Sequence, residues 1–148
     1  MELLVSLTVI GLVATSAMNT FMWILSGLTS ARVDMVNAIG SLYTHSLENS
    51  FWPGLIMQST AGVIMTYVYG IFLALGNFDA TYTYAFLGLF MGLVHGTAVA
   101  VIMAKLLGEH HPVASFHKVT GKIAFAHVVG HLIFGLVIGT MYGMYLVH

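Results

Sequence analysis

The sequence predicts an all-α membrane protein, in which four transmembrane helices form two tandem-repeated helical hairpins and a short surface helix lies in the first cytoplasmic loop. Three observations support this fold class. Of the 148 residues, 59% are hydrophobic and only 6% are charged, whereas soluble domains carry about 25% charged residues. The apolar residues form four long runs, and the two halves of the chain resemble each other. We therefore expect one transmembrane domain, residues 1–148.

Four stretches have the length of about 20 apolar residues that a spanning helix needs. They are residues 3–28, 53–75, 82–107 and 123–147. A tight turn is expected over 76–81, with Asp79 as the N-cap of the third span. In the longer first loop, the apolar residues of 34–43 recur with helical spacing, which predicts a short helix on the membrane surface.

The basic residues predict the orientation. All four lie in or beside the two long loops, residues 29–52 and 108–122, and they are Arg32, Lys105, Lys118 and Lys122. Under the positive-inside rule both long loops are cytoplasmic and both termini lie outside. Six tyrosines gather toward the opposite end, where they would form an interfacial belt: Tyr67, Tyr69, Tyr82, Tyr84, Tyr142 and Tyr145.

An internal duplication is predicted, with units of about 1–75 and 82–148. Residues 11–27 align with 92–108 at an offset of 81, and residues 58–73 align with 131–146 at an offset of 73. A two-helix unit repeated in tandem keeps its orientation, so the halves would be related by an axis along the membrane normal. At these offsets Ala14, Gln58 and Gly54 occupy the places of His95, His131 and His127.

Glycine, interrupted by a few polar residues, recurs at a spacing of four in three spans, and such stripes of small residues let helix backbones approach closely in lipid. The stripes should therefore meet. Gln58 lies on the stripe of the second span, and His127 and His131 lie on that of the fourth.

The candidate cofactor-binding residues are His95, His131 and His127. His95 and His131 are expected at similar depth on neighbouring helices, because both lie roughly 13–18 Å from a helix end. Polar side chains inside a membrane usually point inward at a partner.

Four interpretations of these histidines are open. In the first, neutral imidazoles form interhelical hydrogen bonds to Gln58, Asn19, Thr15 or a carbonyl. One imidazole is the axial ligand of haem b or a chlorophyll-type pigment, since imidazole suits iron and magnesium porphyrins; glycine-tight packing leaves little room for a porphyrin between two histidines. In the third interpretation, His95, His127 and His131 bind a metal ion, although no carboxylate lies within a span to complete the site. The last is a proton or ion path.

A second histidine cluster, residues 109–111 with His117, is expected to be a solvated cytoplasmic turn, or alternatively a weak surface metal site. The sequence contains no cysteine, which excludes disulfides and thiolate metal sites. A net charge of −1 gives no basic surface for nucleic acid. No nucleotide-binding glycine loop or hydrolase motif is present.

Four segments of the chain resemble a family of small prokaryotic four-helix membrane proteins with a domain of unknown function. They are residues 11–18, the Asp34-Met-Val motif, the Ile39-Gly-Ser-Leu motif and the glycine-rich span that ends Val68-Tyr-Gly. The resemblance covers mainly the first half. It implies the fold and a prokaryotic inner-membrane location, and no activity.

The function expected from these features is that of a non-catalytic accessory or scaffolding subunit of a larger membrane complex, respiratory or photosynthetic. Its partners would be other membrane subunits and lipids. The alternatives are a haem- or chlorophyll-binding membrane subunit with His95 or His131 as axial ligand, and a small transporter or channel.

Overall fold

A computed structural model describes residues 1–28, 33–107, 110–117 and 119–146, without the side chains of 106 and 107. Within these ranges the chain is helical and contains no strand. The helices are α1 (Glu2–Leu28), α2 (Met35–Thr44), α3 (Phe51–Ala74), α4 (Thr81–Ile102) and α5 (Gly121–Tyr145). A π-helical turn, Met103–Leu107, extends α4, and a 3₁₀ turn, Ala114–Phe116, lies in the second long loop. Arg32, Gly108, Glu109, Lys118 and the predicted end of the fourth span at 147 lie outside the described residues.

Four helices, α1, α3, α4 and α5, are long and apolar enough to span a membrane. Their bounds lie within two residues of the predicted spans, except at the end of α4, where the π-helical turn completes the run to Leu107. The chain is therefore a multi-pass, all-helical membrane protein, and its outer faces contact lipid. The bundle has two ends: the long-loop side, which carries residues 33–50, 110–117 and 119–120, and the short-turn side opposite it, which carries residues 75–80.

The helix starts follow their capping residues. Asp34 begins α2 by accepting a hydrogen bond from the backbone N–H of Asn37, and Thr120 begins α5 by accepting one from Ile123. The expected capping of α4 by Asp79 is wrong. The N-cap is Ala80, without a side-chain bond, because the helix starts at Thr81 and leaves Asp79 one position too early.

The four spanning helices form a bent row in the order α3, α1, α5, α4. Helix α1 packs against both α3 and α5, and α5 packs against α4, whereas α3 and α4 barely touch. The two outer helices of the row therefore splay apart, although a short turn joins them in sequence.

Backbone contact between glycines holds α4 to α5. A Cβ atom at Gly88 would overlap the carbonyl oxygen of Gly135, and one at Gly135 would overlap that of Gly88. A Cβ at Gly139 would overlap the carbonyl of Tyr84 in the same way. The prediction that the glycine stripes meet is confirmed at this interface.

Between α1 and α3, glycine meets threonine side chains instead. Gly11 faces Thr66, and Gly62 faces Thr15. Both hydroxyls donate 2.8 Å hydrogen bonds to carbonyls of their own helices, Thr15 to Gly11 and Thr66 to Gly62. The hydroxyls are thus satisfied without reaching across the interface.

Helix α2 packs on the first turns of α3. A Cβ at Gly40 would overlap the Ser50 carbonyl, and one at Gly54 would overlap that of Val36, so both glycines permit close backbone contact. Ser50 Oγ also donates to Asn37 Oδ1 at 2.7 Å. These contacts hold α2 across the long-loop side of the bundle.

The expected tyrosine belt is wrong for three of its six members. Tyr69 and Tyr84 are each 2% exposed and Tyr142 is 8% exposed. The hydroxyl of Tyr84 donates to the Gly76 carbonyl and accepts from the Phe78 N–H, both at 3.2 Å. A buried phenol needs such a partner, so these rings fill the short-turn half of the core.

Candidate ligand site at mid-membrane

His131 presents an unshared nitrogen to the bundle interior. Its Nδ1 lies 2.7 Å from the carbonyl oxygen of His127, one turn earlier on α5. A carbonyl only accepts, so Nδ1 carries the proton and Nε2 carries a lone pair. The residue is 6% exposed, and Nε2 has no hydrogen-bond partner among the described residues. Gly96 makes room for this side chain, since a Cβ there would lie 2.7 Å from the Cβ of His131.

His95 lies directly against His131, as their predicted depths require. The two ring centres are 4.7 Å apart, with the planes at 75°. Tyr69 from α3 completes the group: its hydroxyl lies 3.4 Å from His95 Nδ1. Phe134 packs edge-on against both Tyr69 and His95. The helices α3, α4 and α5 therefore meet at a cluster of aromatic and imidazole rings.

His127 is separate from this cluster. Its Nδ1 donates to the Ile123 carbonyl at 2.7 Å, and its buried Nε2 has no partner among the described residues. It lines a small cavity of about 30 Å³ with Asp34 of the first loop. Within the described ranges no three histidine or carboxylate side chains converge on one point. The alternative of a three-histidine metal site is therefore wrong for these residues.

The hydrogen-bonding expectation is correct in part. His127 and His131 bond to carbonyls, but these belong to their own helix. The expected amide partners bond to each other between helices instead, with Gln58 Nε2 donating to Asn19 Oδ1 at 2.8 Å. The Gln58 Oε1 atom is buried and has no partner in the part of the chain that the structure describes.

A cavity of about 150 Å³ adjoins the imidazoles. Every helix contributes to its walls, and no Asp, Glu, Lys or Arg is among the lining residues: Met18, Met35, Ile39, Gln58, Ala61, Gly62, Met65, His95, Val99, His131 and Phe134. A water molecule takes about 30 Å³ in the liquid, so the cavity has room for roughly five. On the short-turn side, Tyr69, Phe134 and Ile138 fill the interior.

A larger apolar groove of about 550 Å³ opens where α3 and α4 splay apart. Its walls are chiefly aliphatic and aromatic, with Met65, Phe72, Phe90 and Met91 among them. Tyr69 and His95 are its polar members. His95 and Met65 line both the groove and the cavity, so the two spaces are adjacent.

The expectation of a solvated turn is wrong for His111. This residue is 3% exposed, and its Nε2 donates to the Ala38 carbonyl of α2 at 3.0 Å. Its Nδ1 accepts from the Val113 N–H at 3.1 Å, and its own carbonyl accepts from His117 Nε2. His111 thus fastens the second long loop to α2. A tertiary partner 73 residues away leaves no local sequence signal.

Sequence reasoning misses two parts of this site. It predicts Tyr69 in the interfacial belt, and it does not single out Met18, Met35 and Met65 from the other methionines. For Tyr69 a signal exists, because it lies seven residues after Gly62 on the face that carries the glycine stripe. The methionines carry no comparable signal, since thioethers serve as ordinary packing groups in most helices.

No protein-family model, no curated protein and no solved structure matches the chain.

Proposed function

We propose that the chain is a non-catalytic accessory subunit of a larger membrane complex, of respiratory or photosynthetic type. The observation that carries the proposal is the open side of the bundle. Helices α3 and α4, the two ends of the bent row, stand apart around an apolar groove, whereas each pair of neighbours within the row packs together. In lipid, helix association is driven by close packing, so an incompletely packed groove favours the binding of a further helix from a partner subunit.

Finer features of the fold belong to the same proposal. The long-loop side is cytoplasmic, both termini lie outside in a prokaryotic inner membrane, and α2 lies at the membrane surface. The hairpins α1–α3 and α4–α5 arose by tandem duplication. Supporting these, Lys105 and Lys122 both lie near the long-loop side, and both hairpins carry glycine at the aligned positions 11/92 and 62/135.

Photo-crosslinking in native membranes tests the partner proposal. A photoreactive phenylalanine analogue replaces Phe90, which lines the groove. The matched control is Leu136 on α5, which is not among the groove-lining residues. Both lie nine residues from the short-turn end of their helices, or about 13 Å. We expect one discrete protein adduct from position 90 and none from position 136. No protein adduct at position 90, or equal adducts at both, would contradict the proposal.

A second candidate is a haem- or chlorophyll-binding subunit, and the position of His95 on the wall of the groove favours it. Two imidazoles on opposite faces of one haem iron have ring centres roughly 6 Å apart, with the porphyrin between them. His95 and His131 are closer than that and touch edge to face. Bis-histidine ligation therefore does not fit. A single ligand, His95, fits a flat ring in the groove, where it would supply the axial imidazole.

An absorption spectrum of the gently extracted protein tests this candidate. Bands beyond the aromatic region that disappear in His95→Ala and persist in His127→Ala would support it. A colourless protein would remove it. A small transporter remains a third prediction, which needs a polar path past the rings of Tyr69 and Phe134.

A further inference from the structure

We propose that the central cavity is a binding site for a soft monovalent metal ion, Cu(I), held by His95, His131 and methionine thioethers. The inference needs only this chain, so it stands apart from the accessory-subunit proposal.

The first argument is the ligand set. Met18 of α1, Met35 of α2, Met65 of α3, His95 of α4 and His131 of α5 all line one cavity of about 150 Å³. Each helix of the bundle thus supplies one candidate ligand. Thioether sulfur selects Cu(I) among the biological metals, and imidazole binds copper well. In a chain without cysteine, methionine is the soft ligand available.

The second argument is the state of His131. Its Nδ1–H is fixed by the His127 carbonyl, and its Nε2 lone pair has no hydrogen-bond partner among the described residues. The residue is 6% exposed and lines the cavity. Metal-ligating histidines almost always donate their other ring N–H to a carbonyl, carboxylate or water in this way. His95 resembles it in having Tyr69 beside its Nδ1.

The third argument is the spacing of the two rings. Imidazoles bound to one tetrahedral ion at about 2.0 Å have ring centres about 5 Å apart. The observed 4.7 Å between His95 and His131 is close to that value. A porphyrin between the two rings would instead require the helices to separate.

The fourth argument is charge. The lining contains no carboxylate, and Ca²⁺ and Mg²⁺ require oxygen ligands. The solvation cost of burying an ion grows with the square of its charge, so a divalent ion without a counter-charge is strongly disfavoured. A monovalent ion that prefers neutral nitrogen and sulfur ligands is the cation this cavity suits.

The test is a competition titration of the detergent-purified full chain. Cu(I), kept reduced with ascorbate under nitrogen, is exchanged against the chromophoric chelator bicinchoninate. We expect one Cu(I) per chain. His131→Ala should weaken binding at least 100-fold, and the triple change Met18→Leu, Met35→Leu, Met65→Leu should weaken it at least tenfold. Leucine keeps the volume of methionine, so the fold should survive these changes.

Two control variants match the ligands. Met57→Leu removes an exposed methionine on α3, the helix that carries Met65. His127→Gln removes a buried imidazole one turn from His131, on a different cavity. Both should bind Cu(I) within threefold of the unaltered chain.

X-ray absorption at the copper edge supplies a readout that does not depend on variants. A sulfur shell can come only from methionine, because the chain has no cysteine. The proposal is overturned if the unaltered chain does not compete for Cu(I), if copper has only nitrogen or oxygen neighbours, or if His131→Ala and the triple variant bind as tightly as the controls. Binding that is lost instead with His111 and His117 would assign copper to the loop and also reject the central site.

Discussion

The two hairpins of this protein use different means to solve one packing problem. In α4–α5, glycine lies against glycine, and backbone atoms of one helix touch backbone atoms of the other. In α1–α3, Gly11 and Gly62 match glycines of the second hairpin at the offsets of 81 and 73. Three other stripe positions carry larger side chains: Leu7 stands for Gly88, Thr15 for Gly96 and Thr66 for Gly139. The first hairpin therefore packs side chain to backbone.

This difference has consequences for the chemistry at mid-membrane. At this depth an amide pair, Asn19 with Gln58, joins the helices of the first hairpin. Nearer the short-turn side, the hydroxyl of Tyr67 also bonds to Thr8 and to the Leu4 carbonyl of α1.

The second hairpin has Ala100 and His131 at the positions of Asn19 and Gln58, where alanine offers the imidazole no polar partner. Close glycine packing secures α4 to α5 without such a pair, so His131 Nε2 is left available for a ligand. The amide pair of the first hairpin is thus structural, whereas the second hairpin carries the candidate site.

The largest expected effect is the difference in stability between a glycine-to-alanine change in the α4–α5 interface and one in the α1–α3 interface. Gly135→Ala places its Cβ on the Gly88 carbonyl, so the helices must separate, and we expect a loss of about 3 kcal/mol or more in the free energy of unfolding. Gly62→Ala meets the hydroxyl of Thr15, which can rotate away only by giving up its bond to the Gly11 carbonyl, and should cost about 1–2 kcal/mol. Unfolding in mixed micelles, followed by circular dichroism, measures both. Equal losses would show that the two interfaces do not differ in the way described.

An intermediate effect concerns the link between the hairpins. His111→Ala removes the bond from the ring to the Ala38 carbonyl of α2. It also removes the acceptor of the Val113 N–H within the loop. We expect a loss of about 1–3 kcal/mol in the free energy of unfolding, because one tertiary hydrogen bond is lost and the Val113 N–H loses its acceptor. Cleavage by added protease should rise within 110–117 in this variant. His45→Ala, on the exposed end of α2, is the control and should leave the cleavage pattern unchanged.

The smallest expected effect is the coupling energy between Asn19 and Gln58, which tests their structural role. A double-mutant cycle with Asn19→Leu and Gln58→Leu should give a coupling energy of about 0.6 kcal/mol, the average for hydrogen bonds within membranes. The same cycle with Ala100→Leu and His131→Leu should give no coupling of that sign. A larger coupling at the second pair would reverse the roles of the two hairpins.

Much of the candidate site followed from sequence, and the reasons are specific. The adjacency of His95 and His131 was predictable, because helical rise converts residue number into depth. That glycine stripes meet was predictable, because a membrane helix gains by presenting its small residues to a neighbour. The pairing of Gly88 with Gly135 was not, because three spans carry such stripes. The burial of Tyr69 and Tyr84 had a signal in their places on the glycine faces of α3 and α4, which the belt prediction overlooked. The burial of His111 was not predictable, because its partner lies 73 residues away in the chain.

The number and length of the spans were determined by sequence alone. Hydrocarbon of fixed thickness admits only runs of sufficient apolar length, and each helix satisfies its backbone groups internally. Which helices stand side by side was decided by the tertiary structure. Helix α4 lies against α5 and apart from α3, because contact area between particular surfaces sets that choice and apolar composition does not distinguish them. The same choice brought five candidate ligands from five helices to one cavity.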